Sequence, residues 1–192
     1  VLRVIVEADG GSRGNPGPAG YGALVRDADT GELLCEKAAG IGVASNNVAE
    51  YRGLIAALQA ALDLGASVVE VRMDSKLVVE QMSSRWKVKH PDMQVLAREA
   101  AGLVRQFDEV RFQHMRREFN KHADRLANEA MDAAAAGRTW AAPPLGADGA
   151  SSGSSSGSVS GTIAASIEPP AAEPLPGSAP AVRNVLYGRS AP

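Results

Sequence analysis

Apolar and polar side chains alternate from Leu2 to Ala8, and again over Tyr21–Arg26 and Leu33–Ala38, a period of two that predicts three strands. The turn Asp29-Thr30-Gly31 separates the second from the third, and connections this short favour an antiparallel meander. The period then lengthens. Tyr51, Leu54, Ile55, Leu58 and Leu62 recur at helical spacing, predicting a helix capped by Asn46 or Asn47 and ended by Gly65. Val68–Met73 reads as a fourth strand, and a helical connection into it is what a parallel crossover requires. Two helical segments follow, Lys76–Ser83 and about Met93 to Phe107, interrupted by Trp86-Lys87-Val88-Lys89-His90-Pro91. Glu109–Met115 predicts a fifth strand, and Asn120 caps a last helix running to about Ala135. The order βββαβααβα predicts an α/β fold: a five-stranded mixed sheet flanked by helices.

The pattern stops near Trp140. Residues 141–180 are mostly Ala, Gly, Ser and Pro, too poor in large apolar side chains to offset the entropy of ordering, so they read as a flexible linker after a domain spanning 1–140. Residues 181–192 carry one short apolar patch, Val185-Leu186-Tyr187, which suits the stub of a second module better than a domain. With 20 Lys and Arg against 22 Asp and Glu, no global basic field announces a polyanion partner, and any nucleic-acid role has to rest on local patches. The lone Cys35 excludes an internal disulfide framework and a cysteine-rich zinc site; its apolar surroundings predict a buried small hydrophobe. No run approaches the ~18 apolar residues of a membrane span, and no signal peptide is visible, so the expected location is the cytoplasm.

Four carboxylates fall at special places in this scheme. Asp9 ends the first strand and Asp74 the fourth, while Glu50 and Asp124 lie in the first turns of helices. Taken singly, the helix acids complement a dipole and the strand-end acids cap turns. Taken together they converge: if the first and fourth strands are parallel neighbours, Asp9 and Asp74 emerge at the edge where ligands bind in open α/β sheets. Gathered like charges repel unless a cation sits among them. Oxygen ligands without a His–Cys cluster select Mg²⁺ or Mn²⁺ over zinc. Two such ions about 3.5–4 Å apart suit phosphodiester hydrolysis.

The residues around these acids carry a resemblance. Asp9-Gly10-Gly11-Ser12, Gly14-Asn15-Pro16-Gly17, Ser45-Asn46-Asn47-Val48-Ala49-Glu50, Met73-Asp74-Ser75 and Asn120-Lys121-His122-Ala123-Asp124 occur in an order and spacing that resembles ribonuclease H of type 1, across nearly all of Val1–Ala135. The resemblance implies that Asp9, Glu50, Asp74 and Asp124 hold two Mg²⁺ ions, with Mn²⁺ able to substitute, and that the RNA strand of an RNA–DNA hybrid is cut to leave 5′-phosphate ends. It implies that Gly10, Gly11, Asn15, Ser45, Asn46 and Asn47 meet the minor groove and the 2′-hydroxyls that distinguish RNA from DNA. Helix capping is the other role open to Asn46 and Asn47. A monomer is expected.

Two departures stand out. In place of a long basic, Trp-rich protrusion the chain offers Arg85-Trp86-Lys87-Val88-Lys89-His90. Arg85, Lys87 and Lys89, with Lys76 nearby, suit phosphate contacts, and a solvated charge run is the alternative. Trp86 suits either stacking on a DNA sugar or packing beneath the loop. Before Asp124 the chain reads Arg116-Arg117-Glu118-Phe119-Asn120, which resembles the form in archaeal-like relatives, where an Arg seven residues before the last Asp assists product release; that makes Arg117 a catalytic candidate. Glu118 is the runner-up, and His122 is expected at the surface. The competing readings are an inactive hybrid-binding module and another nuclease of the same superfamily. Similar domains in actinobacterial-looking proteins are fused to a histidine phosphatase, but no Arg-His-Gly motif occurs here.

Overall fold

Alternation along β1 (Leu2–Ser12) turns Val4, Val6 and Ala8 inward, where each is at most 1% exposed. They pack with Tyr51, Leu54 and Leu58 of α1 (Asn46–Asp63) and with Val69, Val71 and Met73 of β4 (Ala66–Met73) in the main core. In β2 (Gly17–Asp27), Ala23 and Val25 join that core, whereas Leu24 between them joins Ala123 and Leu126 of α4 (Lys121–Ala135) in a smaller cluster. Successive strand residues face opposite ways, so α1 and α4 cover opposite faces of the sheet. With β3 (Leu33–Ala44) and β5 (Glu109–His114), the sheet order is β3-β2-β1-β4-β5. β1–β2 and β2–β3 are antiparallel; β1–β4 and β4–β5 are parallel. The fold is the expected five-stranded mixed sheet, here in a computed structural model describing residues 1–143. The linker beyond residue 143 and the tail 181–192 lie outside the described residues.

The first three strands are longer than the pattern predicted. β1 runs past Asp9, pairing Asp9 with Gly22, Gly10 with Tyr21 and Gly11 with Gly20. What reads as a glycine-rich turn is mostly strand, and the loop proper is 13–16. The glycines serve close packing. A Cβ on Gly10 would lie 2.2 Å from the Ala49 carbonyl carbon of α1, and one on Gly22 would lie 2.4 Å from the Ala123 oxygen of α4.

Helix ends differ in instructive ways. Ser45, rather than Asn46 or Asn47, caps α1: its Oγ accepts from the Val48 N–H at 3.3 Å. Gly65 (φ +76°) follows the C-cap, as expected. Ser75 caps α2 (Lys76–Met82), so Asp74 is free of that duty. α3 (Pro91–Val104) starts at Pro91, a residue suited to the first helical turn. Asn120 occupies the cap position of α4 but makes no side-chain cap hydrogen bond. Cys35 is half-buried against the main core, and burial pushes its thiol pKa up. Among the described residues no helix is long and apolar enough to cross a membrane.

Candidate active site

Parallel pairing of β1 and β4 sets Ala8 beside Met73, so Asp9, still paired with Gly22 within the sheet, and Asp74, just past the end of β4, stand side by side. The contact of α1 with Gly10 brings Glu50 down onto them. Glu50 is the fifth residue of α1, beyond its first turn, which weakens the dipole explanation for it. Carboxylate oxygens of Asp9, Glu50 and Asp74 lie within 4.8 Å of one another. Asp124, in the first turn of α4, lines the same cavity of about 390 Å³ and raises the proton affinity of Asp9 through its charge and a side-chain hydrogen bond.

The cluster is short of donors. Asp9 is 7% exposed and accepts from the Gly10 N–H at 3.0 Å. Burial, then the charges of Asp74 and Asp124, push its pKa from 3.8 to about 7. Glu50 goes further, to about 9, because of burial first and the charges of Asp9 and Asp74 next. Its Oε2 is buried without a hydrogen-bond partner. An unpartnered buried carboxylate oxygen facing two more acids is a site lacking positive charge, and an all-oxygen donor set fits a hard divalent cation. Asp9, Glu50 and Asp74 could hold one.

The Asn120 side chain, fully buried, turns away from the helix it was expected to cap. Its Nδ2 donates to the Ala8 carbonyl at 3.0 Å and to Asp74 Oδ1 at 3.2 Å, holding the Asp74 carboxylate against the end of β1. This positioning role was missed from sequence because Asn before a helix is satisfied by capping alone. Arg117, in the short 3₁₀ turn 117–119, donates to Asp124 Oδ1 at 3.2 Å, and this partner holds its guanidinium above its ordinary pKa. Glu118 pairs with Arg116 in the open and does not line the cavity.

His122 is half-buried and bonded on both ring nitrogens rather than free at the surface. Its Nδ1 accepts from Arg26 at 2.8 Å and its Nε2 donates to Glu36, whose side chain is 6% exposed; together they tie the first turn of α4 to β2 and β3. Of the other predicted residues, Gly10, Gly11 and Asn46 line the cavity. Asn15 Oδ1 accepts from the Asn46 N–H at 3.2 Å, joining the loop to the start of α1, where Ser45 and Asn47 also sit. Trp86, Lys87 and Lys89 form a separate exposed group outside the cavity lining. The Trp86 ring is 47% exposed with Lys76 Nζ 5.9 Å from its centroid, so it is not packed beneath its loop. Gln81 and Gln94 donate to the Lys87 and Val88 carbonyls and hold this loop in place.

Comparison with known proteins agrees with this architecture. A family model described as reverse transcriptase-like matches residues 7–130. The bifunctional protein Rv2228c of Mycobacterium tuberculosis is 60% identical over 134 residues, which is 70% of this chain and 37% of that protein. The chain thus spans little over a third of that relative's length. The solved N-terminal RNase H domain of Rv2228c, fused to maltose binding protein, superposes with a TM-score of 0.69 at 59% identity, covering 71% of this chain and 99% of that one. Ribonuclease HI of Halobacterium salinarum is 45% identical over 130 residues, 68% of this chain and 65% of that protein. LC11-RNase H1, solved in complex with an RNA/DNA hybrid, gives a TM-score of 0.65 at 43% identity, covering 69% of this chain and 99% of that one. With its fold, its acids and its matching motifs, the chain belongs to the ribonuclease H family.

Proposed function

We propose that this domain hydrolyses the RNA strand of RNA–DNA hybrids at a site for two Mg²⁺ ions, leaving 5′-phosphate ends, and acts as a cytoplasmic monomer. The observation that carries the reading is the donor-poor cluster of Asp9, Glu50 and Asp74 in a chain of this family. Asp124 completes the ligand set from α4. Divalent cations, when bound, supply activation of the attacking water and neutralisation of charge on the leaving 3′-oxygen.

The chain's own residues do the rest. Asn120 keeps Asp74 from rotating toward solvent, so the carboxylates hold their geometry through the reaction. Arg117, exposed and tethered to Asp124, can release that acid and take a phosphate oxygen, easing product away. Asn15, Asn46 and Asn47, with Ser45 and the backbone at Gly10 and Gly11, offer the donors and acceptors that read 2′-hydroxyls. The Lys76, Trp86, Lys87 and Lys89 patch takes the DNA strand, Trp86 by stacking on a sugar and the lysines through phosphates. The shortness of this patch predicts weaker hybrid affinity and a shallower salt dependence than long-protrusion enzymes have.

The test is incubation with end-labelled RNA–DNA hybrid, duplex DNA and duplex RNA, in Mg²⁺, Mn²⁺ or excess EDTA. Cleavage confined to the RNA of the hybrid, with 5′-phosphate ends and none in EDTA, is expected. Equal cleavage in EDTA would refute the reading.

A further inference from the structure

The cavity that holds the acids is longer than the acids need. Three of them gather within 4.8 Å, yet the lining continues through Ser12 and Arg13 of the β1–β2 connection and down α4 to Asn128 and Met131. From Asp124 to Met131, the far lining residue of α4, is a rise of seven helical residues, about 10 Å. A nucleic-acid strand advances about 3.4 Å of axis per nucleotide, so this extension is about three nucleotides long.

At its far end stands a cation. Among the described residues, Arg13 and Arg117 are the only basic side chains lining the cavity, and Arg117 is held by Asp124. Arg13 Nη2 donates to Asp132 Oδ1 at 2.6 Å, its side chain 42% exposed and its partner's 68%. The backbone beneath is pinned: the Arg13 N–H donates to the Pro18 carbonyl at 2.8 Å, and Ser12 Oγ donates to the Ala44 carbonyl at 2.8 Å. A fixed backbone thus presents a guanidinium whose only ion pair among the described residues is an exposed one. Such pairs contribute little net stability, whereas a guanidinium can bind phosphate oxygens through two parallel charge-assisted bonds. Exchange of Asp132 for a phosphate is therefore favourable.

We infer that Arg13 is a substrate-binding residue that takes a phosphate of the cleaved strand about three nucleotides from the scissile bond, with Asp132 as the internal anion the strand displaces. This rests on the proposed hybrid-cleaving function, because the strand in this cavity is the one beside the acids.

The experiment compares the full chain with Arg13→Ala, Arg13→Lys and Asp132→Asn, measuring hybrid cleavage from 50 to 200 mM KCl. Arg13→Ala is expected to raise KM about five- to tenfold and to flatten the slope of log(kcat/KM) against log[KCl] by about 0.7–0.9, the loss of one phosphate contact. Arg13→Lys restores the slope because the charge remains. Asp132→Asn lowers KM about two- to threefold by freeing the arginine. Wild-type KM and slope in Arg13→Ala would overturn the inference. So would Asp132→Asn raising KM as much as Arg13→Ala, since that would mark the pair as structural. Failure of the wild type to cut hybrid would instead remove the function beneath it.

Discussion

Replacing Asp9 by Asn removes one charge from the acid cluster while keeping its volume and an oxygen to accept from the Gly10 N–H. An acid whose pKa is raised in the folded state binds its proton more tightly there than when unfolded. Between 3.8 and about 7 the folded protein therefore carries the extra proton, and the stability of the cation-free protein falls as pH rises through that window. At about 1.4 kcal/mol per pKa unit the upper limit for Asp9 is about 4 kcal/mol above pH 7. Glu50 extends the decline toward pH 9. In excess EDTA at pH 8, Asp9→Asn should be more stable than wild type. Half the upper limit, about 2 kcal/mol, corresponds to roughly 4–10 °C in melting temperature for a domain of this size. The advantage should shrink as pH falls toward 4, where the native acid is protonated anyway. Mg²⁺ should stabilise the wild type and do little for the variant. The assay is thermal melting by circular dichroism at several pH values, with EDTA or Mg²⁺. Equal stability in EDTA at pH 8, or an advantage that does not change with pH, would refute the charge-repulsion account of the site.

Asn120→Ala leaves the Ala8 carbonyl and Asp74 without their shared donor; urea melts should show a loss of about 1–3 kcal/mol, and a Mg²⁺ titration of cleavage should show activity or metal affinity down about 10–100-fold. Gly10→Ala forces a methyl against the α1 backbone at Ala49 and Glu50 and should cost about 1–3 kcal/mol in the same melts. Arg117→Ala should lower kcat in steady-state assays while a single-turnover burst survives; unchanged turnover would remove it from product release. Trp86→Ala should raise KM about tenfold, within the range of ~1–3 kcal/mol for a lost base or sugar stack, and an unchanged KM would leave the exposed ring without a role.

The sequence announced the order of elements and the four acids because both rest on local signals: a change of hydrophobic period, and a carboxylate close to where the period changes. It hid what depends on contacts between elements. Gly10 and Gly11 look like turn residues, yet they are paired in a strand, with α1 pressed against one and α4 against the other. Asn120 and His122 look like a cap and a surface residue, yet one is buried beside Asp74 and the other is bonded between Arg26 and Glu36. Nothing within their own helix requires either contact. Ser45 and the two asparagines after it all carry a capping signal, and only the packing of α1 selects Ser45. The cavity's extension to Arg13 depends on how β1 lies along α4, which no periodicity encodes.

The separation along the chain between Asp9 on β1 and Asp124 on α4 has a consequence for the protein's own birth. At about 5–20 residues per second of synthesis, the first acid precedes the last by roughly 6 to 23 seconds. Throughout that interval the emerging polypeptide lacks the α4 acid that lines the cavity, and a fragment released early never gains it. Under the proposed function, in which Asp124 completes the ligand set, cleavage begins only after translation has passed the start of α4.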